Sequence, residues 1–246
     1  MRDTFLVVLH RPRDVRNIGA VVRAMKNMGF ARLRLVRPAP FDPADIGGIA
    51  HRSDDILAAL EVYDTLDAAL ADAVYVLGTS ERPHPGRPLR ADVRPLAAEL
   101  HARAAAGPVA LLFGPEDNGL DAAALDRCHA LLSLPADPAY PSLNLAQAAM
   151  LLLYELRQAA PALSASAPAP APPPAPATQA ELAAAVDAIE RAIDAIGFVK
   201  SGTPAPTMRR LRALLLRAAP DPREAALVAA IAREVVQAMR RAREER

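Results

Sequence analysis

Three stretches of this 246-residue chain bring together residue types that can do chemistry. The first is Arg16-Asn17-Ile18-Gly19, followed by Arg23. On a helix Gly19 and Arg23 share a face one turn apart, so a long cation stands over a position without a side chain. A phosphate or a partner can approach such a position closely. A surface arginine beside a packing glycine satisfies the same spacing. The second stretch is Gly114-Pro115-Glu116-Asp117-Asn118-Gly119, a turn-forming loop with a carboxylate near its centre. The third runs from Leu134-Pro135 to Ser142-Leu143-Asn144 and offers a hydroxyl and an amide. A shorter loop, Gly78-Thr79-Ser80-Glu81-Arg82, carries related groups. Gly119 is not followed by Lys and Ser or Thr, so the second loop is not a Walker phosphate loop, and no dinucleotide fingerprint is present. The five histidines are scattered, and the neighbours Cys128 and His129 face opposite ways on a strand, so no metal site is expected.

Each loop follows a short apolar run, and Ala73–Leu77, Val109–Phe113 and Ala130–Leu134 read as buried strands. Loops after adjacent parallel strands are where an open α/β sheet binds small molecules. Phe5–Leu9 and Leu33–Val36 read as two more strands, and Glu61–Tyr63 as a short edge strand. Between the first two, Ile18, Val21, Val22, Met25 and Met28 share one side of a helix that Asn17 is placed to cap and Gly29 to end. This order predicts a parallel sheet with crossover helices. Further helices are expected over 54–60, 66–71, 94–106 and 143–156. In the last, Leu145, Ala148, Ala149, Leu152, Leu153 and Leu156 form a face broad enough to meet both the sheet and a partner subunit.

Residues 159–178 are rich in alanine and proline and read as a semi-rigid linker. Beyond it, residues 179–246 read as a small all-helical extension, with helices over Leu182–Ile196, Thr207–Ala218 and Ala225–Met239. Asp221-Pro222-Arg223-Glu224 gives the last of these a cap, a first-turn proline and an acidic third position.

Hydrophobic content of 52% is globular, and 4% aromatic with no Trp makes the core aliphatic. Residues 179–246 carry 12 basic against 9 acidic residues, which leaves 17 of the 29 basic and 19 of the 28 acidic residues before them. The extension is therefore mildly basic. Lys26 and Lys200 are the only lysines, so the positive charge is nearly all arginine, which suits bidentate phosphate contacts. One cysteine excludes an intrachain disulfide. No charged leader precedes an apolar run and no stretch reaches about 18 uninterrupted apolar residues, so a cytoplasmic protein without membrane contact is expected.

Taken in order, Asn17-x-Gly-x-x-x-Arg23, Phe113-Gly-x-Glu-x-x-Gly-Leu120, and Leu134-Pro with Ser142-Leu-Asn-Leu-Ala146 resemble the three motifs of the SPOUT-class, TrmH-like RNA 2′-O-methyltransferases. Within that class the chain is most similar to the TrmJ subgroup, which acts on cytidine or uridine 32 of tRNA. The resemblance covers residues 1–158, and Gly197-Phe198-Val199 with the helix from Met208 extends it into the tail. Two positions depart from it: Pro115 stands where the subgroup carries Arg, and Pro141 where a serine is expected. The Gly-Pro-Glu of the second motif also occurs in sister groups that act on other positions. A SPOUT enzyme for another tRNA or rRNA position, or a non-catalytic RNA-binding module of the same fold, therefore remains the alternative.

The resemblance implies an α/β SPOUT fold with a parallel sheet and a deep trefoil knot, an exception to unknotted folding. It implies a 1–158 catalytic domain, a 159–178 linker and a 179–246 extension. A homodimer would form through the first and last helices of the catalytic domain. S-adenosylmethionine would be held by Thr79, Ser80, Gly114, Leu134, Ser142, Leu143 and Asn144. Arg23, Asn17 and Ser142 would form the catalytic set, with Asn17 fixing the loop into the helix, Gly19 leaving room for RNA backbone, and Arg23 entering the opposite subunit's pocket. Glu116 would order its loop and face the RNA; tRNA would be gripped by Arg11, Arg13, Arg16, Arg209 and Arg210, and the need for a 2′-hydroxyl excludes DNA. A charged guanidinium has no acceptor, so two roles for Arg23 stay open. It either loses its proton in a closed complex with phosphate as relay, or stays cationic, holds phosphate and stabilises the developing alkoxide.

Overall fold

The sheet begins where the sequence is most apolar. A computed structural model of the chain describes residues 4–164, 175–199 and 202–244. In it β1 (Phe5–His10) is buried from end to end, followed by α1 (Val15–Met28) and β2 (Arg32–Val36). Phe5, Val7 and Leu9 face one core and Leu6 and Val8 the other, the period-two alternation of a strand covered on both sides. Gly29, at φ 81°, ends α1 as expected. The cap at its start is corrected: Asp14 takes that place, its carboxylate accepting from Arg16 N at 2.8 Å. Asn17 lies inside the first turn, which frees its side chain to reach another element.

The chain continues through α2 (Pro43–Ile49), α3 (Asp54–Ala58), β3 (Glu61–Tyr63), α4 (Leu66–Leu70), β4 (Tyr75–Thr79) and β5 (Leu89–Arg90). Then come α5 (Val93–Ala104), β6 (Val109–Phe113), α6 (Ala122–Leu125), β7 (Ala130–Leu132) and α7 (Leu145–Ser164). All the strands are parallel, in the order β3-β2-β1-β6-β4-β7-β5, a seven-stranded sheet. The α2 helix and the β5 strand were not legible as periodic segments. Strand β4 sits two residues later than expected because Gly78 belongs to it: a Cβ there would stand 2.5 Å from Cys128 Sγ, so the glycine admits a neighbour and does not end the strand. Burial pushes the Cys128 thiol up to about 12 and the His129 imidazole down to about 3. Neutral His129 accepts from Val76 N at 3.0 Å and stacks on Tyr75. The pair is internal structure.

Helices α1, α5 and α7 cover one face of the sheet, and α4 and α6 the other. Leu145, Ala149, Leu152, Leu153 and Leu156 of α7 are buried within this chain, while Leu151 and Tyr154 each stay 45% exposed. The expected 159–178 linker is corrected at its start, because α7 runs to Ser164; residues 165–174 lie outside the described ones.

Contacts divide the chain into residues 1–173 and 174–246. In the second unit α8 (Gln179–Ala195) packs on α10 (Pro222–Glu244) through Ala185, Ala188, Ala192, Ala229 and Ala232, with α9 (Ala205–Ala218) closing a second small core through Leu216. Thr178 and Glu181 form a capping box before α8, and Asp221 and Glu224 bond reciprocally before α10, as the sequence predicts for the latter.

Candidate active site

The loops after β4, β6 and β7 meet at the carboxyl edge of the sheet and line one cleft of about 490 Å³. Of the residues expected at a cofactor, Thr79, Ser80, Gly114, Leu134, Ser142 and Leu143 line it, together with Glu116; Asn144 and Arg23 do not. Leu120, Leu125 and Leu132 supply an apolar wall. Glu81 and Arg82 also line the cleft and were not singled out. The only signal for them was their place in a loop after a strand.

The first loop is built from its own hydroxyls. Ser80 N donates to Leu132 O at 3.0 Å, which ties the loop to β7. Ser80 Oγ donates to Arg82 O at 2.8 Å and accepts from Arg82 N at 3.2 Å, closing a tight turn. In the second loop Gly114 is required by close approach, though of a different partner from the one expected. Its Cβ would stand 2.3 Å from Gly119 C and 2.4 Å from Leu120 N, so the loop's own backbone fills that space. Gly119 at φ 65° makes the return turn.

Glu116 joins the motifs. Its Oε1 accepts from Asn17 Nδ2 at 2.9 Å and Asp14 N at 3.2 Å, and its Oε2 from Arg13 N at 3.0 Å. Partial burial pulls the carboxyl upward, but the hydrogen bonds from Asn17 and from backbone N–H groups outweigh it and hold Glu116 below the usual range. Asn17 Oδ1 in turn accepts from Asn144 Nδ2 at 2.9 Å. Asn144 Oδ1 accepts from Ala146 N at 2.9 Å, which caps α7. The carboxylate can only accept, so it orients the Asn17 amide, which orients the Asn144 amide, which presents oxygen to the helix. One chain of hydrogen bonds thus joins β6, α1 and α7.

Gly19 does not leave its space for RNA. A Cβ there would lie 2.9 Å from Ile49 Cβ, so the missing side chain admits α2. Arg23 is exposed on α1, with Nη1 3.5 Å from Ile49 O. Arg11, Arg13 and Arg16 stand at the start of α1, each beside an aspartate: Asp121 at 3.4 Å, Asp117 at 2.7 Å and Asp14 at 2.6 Å. These are exposed pairs, which a phosphate can rearrange at little cost. Arg209 and Arg210 are exposed on α9 in the second unit. Among the described residues no three His, Cys, Asp or Glu side chains group as metal ligands, and no helix is long and apolar enough to cross a membrane.

Residues 4–154 match the SpoU rRNA Methylase family, and residues 180–245 match the C-terminal domain of the tRNA methyltransferase TrmJ. A relative from Klebsiella pneumoniae, tRNA (cytidine/uridine-2′-O-)-methyltransferase TrmJ, is 34% identical over 226 residues, covering 91% of this chain and 93% of the relative. The chain belongs to the SpoU methylase family, in its TrmJ branch. The crystal structure of TrmJ from Z. mobilis ZM4 shares its fold, with a TM-score of 0.80 and 30% identity, covering 94% of this chain and 98% of that one. A structure described for 2-OH methylation of C/U34 on tRNA covers 65% of this chain and 98% of its own, with a TM-score of 0.50 and 26% identity. Membership of this methyltransferase family, read from the three motifs, is confirmed, and the motifs fall on the loops and helix ends that build the cleft.

Proposed function

We propose that the protein transfers a methyl group from S-adenosylmethionine to a ribose 2′-hydroxyl of tRNA, at the pyrimidine in position 32 of the anticodon loop. The observation that carries the reading is the hydrogen-bonded chain Glu116–Asn17–Asn144, which holds all three motifs around one cleft. The residues fit the cofactor. The cleft volume lies within the usual range for a ligand of that size, its leucine wall suits an adenine, and its loops offer backbone groups at the edge.

When bound, S-adenosylmethionine supplies a methyl group already activated by its sulfonium. The protein's own task is alignment, which in well-oriented systems contributes up to roughly 7–11 kcal/mol. Thr79, Ser80, Leu134, Ser142 and Leu143 bind and orient, while Asn144 acts one step back, by capping α7 and holding Asn17. Ser142, exposed at the mouth, is free to bond the ribose or the cofactor. Asn17 and Glu116 keep the second loop and the start of α1 in register. Arg23 stays cationic, holds the phosphate beside the target ribose and stabilises the developing alkoxide as the 2′-hydroxyl proton passes to solvent or phosphate. Its absence from its own cleft's lining and the exposed Leu151 and Tyr154 support a homodimer through α1 and α7, in which Arg23 serves the partner's site. We further propose the family's trefoil knot in the second half of the catalytic domain, a cytoplasmic location, and a division of labour in which 1–158 catalyses while 179–246 grips tRNA through Arg209 and Arg210. Arg11, Arg13 and Arg16 add phosphate contacts that orient without reading sequence.

The test is to incubate purified protein with S-adenosylmethionine and unmodified bacterial tRNA, then to map 2′-O-methyl nucleotides by mass spectrometry. Methylation at nucleotide 32 is expected. Methylation at 34 alone would move the assignment to the activity named for the C/U34 structure. No 2′-O-methyl nucleotide would leave a non-catalytic RNA-binding module.

A further inference from the structure

The charges that line the cleft are unequal in their freedom. Glu116 is taken up by Asn17 and two backbone N–H groups, and Asp117 by Arg13 at 2.7 Å. Glu81 and Arg82 also line the cleft, both exposed, and among the described residues neither side chain has a hydrogen bond or ion pair. They are a free anion and a free cation, adjacent in sequence, on a turn that Ser80 holds through the backbone of Arg82. That turn does not use the Arg82 side chain, so the guanidinium is presented without being needed for the loop.

We propose that Arg82 and Glu81 form the subsite for the amino-acid end of the cofactor, Arg82 binding the carboxylate and Glu81 the ammonium. This rests on the reading of the cleft as an S-adenosylmethionine site. The cofactor's end is a zwitterion, and a cation and an anion on one short turn match it in charge. A guanidinium donates two parallel N–H bonds to a carboxylate, so it suits this role better than a lysine. Leu120, Leu125 and Leu132 supply apolar surface for the adenine in the same cleft. Loss of Arg82 therefore weakens ligands that carry the amino acid and spares those that lack it.

Calorimetry separates the two. S-adenosylhomocysteine carries the amino-acid end, and methylthioadenosine is the same nucleoside without it. In the full-length protein Arg82→Ala is expected to weaken S-adenosylhomocysteine about tenfold, the scale of one exposed charge-assisted fork, and to leave methylthioadenosine within about twofold. Arg82→Lys should fall between, and Glu81→Gln should show the same selectivity with a smaller loss. Equal loss of both ligands in Arg82→Ala would assign Arg82 a structural role and overturn the proposal, as would no loss of either. Wild-type protein that bound neither ligand would overturn the methyl-transfer reading and this subsite with it. Wild type that bound both would leave that reading standing whichever way the variants fell.

Discussion

Replacing Glu116 by Gln tests the junction of the three motifs with the smallest possible change. The carboxylate accepts from Asn17 Nδ2, Asp14 N and Arg13 N, at 2.9, 3.2 and 3.0 Å. Glutamine keeps one oxygen and presents an NH2 group in place of the other. One of the two sides must then set donor against donor. A hydrogen bond to a buried charge contributes about 1.5–3 kcal/mol, but this carboxyl is only part-buried, so the whole change should cost only about 1–2 kcal/mol. For a chain of this size that lowers the thermal midpoint by about 3–6 °C. The sign of the pH dependence follows from the depressed Glu116 carboxyl: its contribution is complete above the ordinary glutamate range and is lost as pH falls through the lowered value. Thermal unfolding of wild type and variant should therefore differ at pH 7 and converge only once the pH has fallen below the lowered Glu116 value. Cofactor affinity should fall severalfold in the variant, because the second loop loses its tie to α1. A gap that stays constant through acid, or identical midpoints at pH 7, would refute a charged Glu116 as the junction.

Arg23→Ala should lower turnover at least about a hundredfold, roughly 2.7 kcal/mol of transition-state stabilisation, with S-adenosylhomocysteine affinity unchanged by calorimetry; near-normal turnover would make it a surface arginine. In mixed dimers with Asn144→Ala subunits, about a quarter to a half of wild-type activity should return if the site is built across the two-fold axis. Removing residues 179–246 should weaken tRNA binding in gel shifts, reduce its salt dependence and spare cofactor binding; equal tRNA affinity would contradict the grip assigned to α9. Gly114→Ala places a methyl 2.3 Å from the Gly119 carbonyl carbon, so the loop must open, and both thermal stability and cofactor affinity should drop together.

The strands were legible because both faces of this sheet are covered, which leaves near-continuous apolar runs such as Val109–Phe113 that no surface element would carry. The capping residue was not. Asp14 and Asn17 are both good caps three residues apart, and only the structure shows Asp14 bonding Arg16 N while Asn17 faces Glu116. The α2 helix was hidden by Gly47 and Gly48, although Asp42-Pro43 is a regular helix start. Its effect on Gly19 was beyond reach, since Ile49 lies thirty residues on and no local pattern connects them.

The motif residues themselves could be named from the sequence, but their division into ligand-facing and supporting roles could not. Ser142 and Asn144 are two residues apart and looked equivalent at a cofactor. In the structure Ser142 lines the cleft, while both ends of the Asn144 amide are already used, by Ala146 N and by Asn17. Gly114 likewise looked like an opening for a ligand and is filled by the loop's own return. The two differences have different reach. Gly114 is filled from within its own loop, whereas Asn144 is held by Asn17, 127 positions away, and Asn17 by Glu116, 99 positions from it. The orientation of each amide is forced in sequence from the one group that can only accept, so Glu116 fixes Asn17 and Asn17 fixes Asn144. The start of α7, and with it the Ser142 side of the cleft, is therefore set by a carboxylate on the opposite loop.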